Sequence, residues 1–161
     1  MSATGIRAEH LRLYVIQPTL LHLGERLFSE AAVRLLIGTA AVESDMGSFL
    51  IQELSRVARG IYQIEPATMQ DVLARSQKRH LSVFLRVMDY VNPGFRYEDQ
   101  LIWNLAFATC CCRLVYYLDP APLPAPDDIE GLGRYWVEKY NRGGKGTVEK
   151  FVSAYRKFSR G

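Results

Sequence analysis

Glu43 stands at the end of an apolar helical run, and after a loop the chain returns through Gly60-Ile61-Tyr62-Gln63-Ile64 to Pro66 and Thr68. A carboxylic acid set among apolar side chains keeps its proton near neutral pH, because desolvation penalises the charged form. Glu43 therefore has the makings of a general acid. The amide of Gln63, brought back over the same cleft, could hydrogen-bond a neutral polar substrate such as a sugar. A competing reading pairs Glu43 with Arg56 or Arg59, since structural ion pairs also perturb carboxylates. Asp45, two residues on, falls about 200° around a helix and faces away, which makes it a poor catalytic partner. Gly60 can take backbone angles closed to other residues, either to let the chain pass close to a ligand or to make an ordinary tight turn.

These groups need helices to hold them. Leu11, Val15, Leu20 and Leu21 predict a first helix from Ala8 to about Leu23, kinked or divided by Pro18 and stopped at Gly24. Ser29 is a good N-cap and Glu30 suits the positive end of the helix dipole. Val33, Leu36, Ile37 and Ala40 follow at helical spacing, which puts Glu43 on the buried side near the end, with Gly47 as the stop. Ser48 to Arg59 reads as a polar segment with a short helical turn. Pro66 suits the first position of a helix that runs to about Arg75; Arg75, Lys78, Arg79 and His80 form a basic surface cluster. Leu81, Phe84, Leu85 and Met88 make the core stripe of a helix from His80 to Val91, ended by Asn92-Pro93-Gly94. A long helix then runs from Tyr97 or Asp99 to Leu118. The proline-rich Asp119 to Asp128 is a stiff surface loop. Asp127 or Asp128 caps the next helix, through Ile129, Leu132, Trp136 and Tyr140, where Gly131 and Gly133 cost roughly 1 kcal/mol each and point to close helix packing. Thr147 caps a last helix that docks through Val148, Phe151, Val152, Tyr155 and Phe158. No alternating strand pattern appears. The expected fold class is all-α or mainly α, a single domain over residues 1–161 with about seven helices and room for a small hairpin between Ser48 and Gly60.

A chain of 161 residues with 48% hydrophobic content can bury a proper core as one domain. The net charge of +3 favours an anionic partner without naming one. The excess is local: Arg134 to Gly161 holds eight Lys or Arg against Glu138 and Glu149. That tail suits peptidoglycan, an anionic membrane surface, nucleic acid or a merely solvated helix face. Nucleic acid is not expected, because the aromatic and basic residues there follow a packing stripe instead of a base-stacking pattern. Cys110-Cys111-Cys112 lie on one predicted helix about 100° apart, so they cannot close a zinc tetrahedron. They read as core residues made in a reducing compartment, and neither a metal nor a cofactor is expected. Leu101 to Leu118 is the stretch to consider for a membrane span, but Asn104 and Arg113 interrupt it and its aromatics do not gather at its ends; a buried helix is expected. The opening MSATGIRAEHLRLYVIQP lacks the apolar core and cleavage signal of a secretory peptide. The turn from Asn141 to Gly146 lacks the strand and spacing of a P-loop.

Three motifs occur in order: Glu43-Ser44 with Gly47, then Gly60-x-x-Gln63-Ile64-x-Pro66-x-Thr68, then Tyr140-Asn141-x-Gly143. Together they resemble the ES, GLMQ and AYNxG motifs of the soluble lytic transglycosylases, relatives of goose-type lysozyme, from about Leu35 to Gly143. The resemblance implies a lysozyme-like domain that cuts the MurNAc-GlcNAc β-1,4 bond of peptidoglycan without a cofactor. In this family a single carboxyl group, here Glu43, acts as acid and then as base and leaves a 1,6-anhydro sugar, where most glycosidases need two carboxylates. By the same resemblance Gln63 would hold the sugar and Ser44 would support the helix end or the saccharide. Tyr62, where the family often has Met, would stack on a sugar face; Tyr140 and Asn141 would line the floor and orient Glu43. Ser55 matches the family's loop serine only approximately. Glu65 replaces an apolar residue of the family. In the cleft it would add a second carboxylate and admit lysozyme-like hydrolysis; as a helix cap it would be structural. Arg142 and Lys145 stand in place of small residues. The strings LLIGTAAVES, GIYQIEPAT and YWVEKYNRGGKGTVEKF are similar to bacteriophage murein-degrading proteins. That implies a protein made in the host cytoplasm and carried in the virion, tail or internal, to act on the periplasmic cell wall, with other virion proteins as further partners. A virion structural or adaptor protein that keeps this scaffold without turnover is the alternative.

Overall fold

Helical runs punctuated by capping side chains make up the computed structural model, which describes residues 5–52 and 54–160. The opening stretch read for a secretory signal lies partly outside the described residues, as does Glu53 of the segment after Ser48. Helix α1 (Ala8–Leu11), a π-helical stretch (Arg12–Ile16) and α2 (Gln17–Leu23) follow one another in right-handed helical conformation as one rod. Pro18 does not divide it. The wider π turn, in which the Gln17 N–H reaches the Arg12 carbonyl, ends just before the proline and absorbs its missing donor.

Helix α3 (Glu30–Ser44) starts where the sequence places it, with Ser29 Oγ accepting from the Ala32 N–H at 3.0 Å. Val33, Leu36 and Ala40 are fully buried, so α3 runs through the core. It ends earlier than Gly47. Asp45, Met46 and Gly47 take φ of 49°, 59° and 84°, three left-handed residues in succession. Met46 is wholly buried while Asp45 is exposed, as expected, and ion-pairs with Lys157 at 3.6 Å. Burying the methionine offsets the strain of left-handed non-glycine residues.

The expected short helical turn in the next segment amounts, among the described residues, to a single α-turn, in which the Arg56 N–H reaches the Gln52 carbonyl at 3.0 Å. The chain forms isolated antiparallel bridges, Ile51 with Arg59 and Arg59 with Ile64, and these are all that the anticipated hairpin amounts to among the described residues. Its amides are committed across the turn, Gln52 to the Ala58 carbonyl at 3.1 Å and Gly60 to that of Leu50 at 2.7 Å, so they cannot build a helix.

Helix α4 (Pro66–Arg79) continues a turn beyond Arg75, with Ser76 still facing the core. In α5 (Leu81–Met88) the expected stripe is out of phase: Val83 and Val87 are buried, Phe84 and Met88 are half-buried, and Leu81 and Leu85 are more than half exposed. The segment offers two apolar stripes at i, i+4, and packing against α2 and α4 selects the valine one. The long helix is also broken, into α6 (Tyr97–Trp103) and α7 (Leu105–Tyr117). Asn104 makes the break by capping α7, its Oδ1 accepting from the Phe107 N–H at 3.1 Å while its Nδ2 donates to the Tyr90 carbonyl at 2.7 Å. Cys110, Cys111 and Cys112 are buried, and burial holds their thiols well above the ordinary range, which leaves them inert. Arg113 is buried too and donates to the Leu27 carbonyl at 2.8 Å. No helix of the described residues is long and apolar enough to cross a membrane.

Asp128 caps α8 (Ile129–Lys139) and Thr147 caps α9 (Val148–Ser159). A Cβ on Gly133 would meet Val148 and Phe151 at 3.2 and 3.3 Å, the close helix packing anticipated there. At Gly38 of α3 it would stand 2.2 Å from the Phe151 ring, so α9 lies directly on the helix that bears Glu43. The architecture is all-α, with α3 enclosed by the helices around it.

Candidate active site

Glu43 occupies the last turn of α3, and the next residue anchors that turn. Ser44 is fully buried; its Oγ donates to the Ile61 carbonyl at 2.6 Å and accepts from the Gly47 N–H at 2.8 Å. It supports the helix end and cannot reach a saccharide. The strand-like return beyond it is closed by reciprocal Arg59–Ile64 main-chain bonds of 3.0 Å each. Gly60 sits within it at φ 80°, and a Cβ there would lie 1.8 Å from the Leu101 carbonyl oxygen. Only glycine fits, and the close approach is to the end of α6 instead of to a ligand.

Gln63 at the turn tip is left-handed, φ 49°, and both its main-chain N–H and its Nε2 donate to the Gly60 carbonyl, at 3.0 and 2.9 Å. That bond holds the side chain against the turn at the edge of a cleft of about 690 Å³ which Glu43 also lines. Tyr62 does not line it. Its ring is fully buried and its hydroxyl pairs with Thr109 Oγ1 at 2.8 Å, so the expectation that it stacks on a sugar is corrected: Ile61 and Tyr62 both turn into the core before the chain reverses at left-handed Gln63.

The other wall comes from α8 and the turn after it. Tyr140 donates its hydroxyl to the Tyr62 carbonyl at 2.6 Å and stacks on Tyr116, ring centroids 5.3 Å apart. Asn141 is tied down at main chain and side chain: its N–H reaches the Trp136 carbonyl at 2.9 Å, and its Oδ1 accepts from the Gly146 N–H at 3.2 Å. With the amide oxygen so used, the Asn141 amide nitrogen is left to donate to Glu43, to which the side chain hydrogen-bonds. Space here is tight enough to exclude a methyl group, for a Cβ on Gly146 would stand 2.3 Å from the Trp136 ring and one on Gly144 2.0 Å from Asn141 Oδ1.

Trp136 is the residue the sequence reading missed. Read as a core side chain four positions before Tyr140, it is indeed 2% exposed, but its Nε1–H donates to Glu43 Oε1 at 3.1 Å. The available signal was an indole on the same helical face as Tyr140, since a buried indole N–H needs an acceptor. The anticipated ion pair to Glu43 does not form: Arg59 pairs with Asp99 at 3.3 Å and Arg56 is exposed. Burial raises the Glu43 carboxyl to about 7, and the hydrogen bonds from Trp136 and Asn141, which favour the anion, pull it back only in part. Such a group can lose and regain a proton at neutral pH.

Glu65 lines the same cleft, exposed, at the N-cap position of α4, where its side chain makes no capping bond. Of the residues singled out, Glu43, Gln63, Glu65, Tyr140 and Asn141 thus share one cleft, while Ser44 and Tyr62 brace it from behind. Another hollow, about 790 Å³, lies between α8 and α9, but its charged side chains, Arg134, Glu149 and Arg156 among them, are exposed and no buried acid serves it. No group of His, Cys, Asp and Glu among the described residues could hold a metal ion. Compared with protein-family models, curated proteins and solved structures, the chain matches none.

Proposed function

We propose that the protein is a peptidoglycan-cleaving lytic transglycosylase of a bacteriophage, with Glu43 as its one acid–base group. The observation that carries this reading is a mostly buried carboxyl group, poised near neutrality, that has two neutral N–H donors and, among the described residues, no ion pair. Glu43 would give its proton to the glycosidic oxygen as the C1–O bond breaks. The carboxylate so formed, held by the Trp136 and Asn141 donors, would take the proton of the C6 hydroxyl, whose oxygen closes onto C1 as a 1,6-anhydro ring. No water and no second carboxylate enters that sequence. Gln63 and Tyr140 would contact the sugar, and Asn141 would keep the acid oriented. The lysozyme-like character and the phage setting, a virion protein acting on the periplasmic wall, are supported by the motif resemblance.

Glu65 in the same cleft favours a second reading, hydrolysis through a water that it activates. Muropeptides released from peptidoglycan by wild type and by Glu43→Gln, analysed by mass spectrometry, separate the cases. Anhydro ends from wild type alone, with a loss of about 10³-fold in the variant, are expected. Hydrated reducing ends would point to Glu65. No product from either protein would leave the non-catalytic virion scaffold as the better account.

A further inference from the structure

We propose that the cleft holds a carboxylate subsite, formed by Lys139 and Arg142 about Asp119 with Arg75 beside them, which makes it take acidic glycans in preference to neutral ones of the same backbone. The inference rests on the reading above, that a glycan occupies the cleft. Lys139 and Arg142 both line it, and they flank Tyr140 and Asn141 in the chain, so positive charge sits next to the groups around Glu43. Both converge on one carboxylate. Asp119, whose side chain is 12% exposed, lies 3.3 Å from Lys139 Nζ and 3.2 Å from Arg142 Nη2.

The Ala121 N–H, 2.9 Å away, fixes Asp119 in place, and this bond together with the two cations holds its carboxyl below the usual range. It is therefore a standing negative charge between two positive ones, which leaves one cation over. Arg75 adds to the same end, with Nη2 3.4 Å from the carbonyl of Leu118, next to Asp119, and Nη1 3.3 Å from exposed Asp71. A ligand carboxylate between Lys139 and Arg142 would complete an alternation of charges. The Arg142 side chain, 67% exposed, presents a planar guanidinium that can bind both carboxylate oxygens. On the glycan proposed, that carboxylate has two sources, a free lactyl group or the acidic residues of a peptide attached to it.

Calorimetric titration of Glu43→Gln, which does not consume its ligand, tests this with three oligosaccharides of one length and backbone. One is neutral poly-N-acetylglucosamine, one bears free lactyl carboxylates, and one bears lactyl-linked acidic peptides. At low salt at least one acidic ligand is expected to bind about fivefold tighter than the neutral one, and the one that gains identifies the source. Adding Lys139→Met and Arg142→Gln should bring that ratio toward one. Adding Asp119→Asn, which keeps an acceptor for the Ala121 amide and removes the competing charge, should raise it. Opposite signs are not the signature of a merely structural role. Equal affinities for all three ligands, or a ratio that neither change moves, would overturn the subsite and leave the glycan reading standing. Failure of all three to bind would overturn both.

Discussion

The wall at residues 50–64 reaches the cleft on main-chain hydrogen bonds and one glycine, whereas the wall at residues 136–146 reaches it on packed side chains, a buried indole and a twice-anchored asparagine. At the tip of the first, side chains hang outward, with Leu54 97% exposed and Leu50, Ile51 and Val57 each above a third, while Ile61, Tyr62 and Ile64 at its base are buried. In the second, Trp136 belongs to the core and to the acid at once. The tip of the first wall should therefore tolerate changes of side chain but not of backbone, whereas the second depends on its side chains as well as on its glycines.

Gly60→Ala is the severest test of the first wall. A methyl group 1.8 Å from the Leu101 oxygen, at φ 80°, must displace α6 or the turn, and denaturant unfolding should show a loss of about 3 kcal/mol. An unchanged midpoint would mean that this wall is not held by its backbone.

Next in size is a pH effect at the meeting point of the walls. Glu43 holds its proton more tightly in the folded state, about 7 against 4.5, so its favourable contribution is fully present below pH 4.5 and is lost as pH rises through 7. Wild type should lose about 2 to 3 kcal/mol across that window relative to Glu43→Gln, which carries no such charge. Parallel stability curves for the two proteins would refute the burial of the acid.

Trp136→Phe keeps an aromatic ring in the core but removes a donor that favours the carboxylate. It should cost roughly 1 to 2 kcal/mol of stability. It should also move the Glu43 titration upward from about 7, visible by NMR of the side-chain carboxyl and, on the proposed function, as a shift of the basic limb of the pH-rate profile to higher pH. A titration that stays put would detach the indole from the acid. Smallest of all, Leu54→Ser on the exposed tip should change the unfolding midpoint by less than about 0.5 kcal/mol.

What could be read from the sequence follows the same division. Caps were legible because they depend on neighbours a few residues away: Ser29, Asp128 and Thr147 each accept from an amide three positions on. The placing of Glu43 on the inner side of α3 followed from periodicity, and four of its expected companions in the cleft follow from the order of the motifs. Asn104 was hidden because an apolar run of helical period conceals a cap in its middle, and the Tyr90 carbonyl that helps to hold its amide comes from an earlier segment. The stripe of α5 failed because two phases satisfy one period and tertiary packing chooses between them. Tyr62 and Trp136 were exchanged in role, the first expected at the ligand and found inside, the second expected inside and found also at the acid. Aromatic type gives the area a ring can bury and nothing about which partner its polar edge will meet.

The Phe151 ring pressed on Gly38 has a bearing on how the chain is made. Synthesis delivers α3 to the ribosomal exit long before α8 and α9, so the acid-bearing helix emerges without the indole, the asparagine or the covering ring. Until those late helices dock, Glu43 lacks the Trp136 and Asn141 donors and the cover that lifts its carboxyl, so the site is completed only by the last third of the chain.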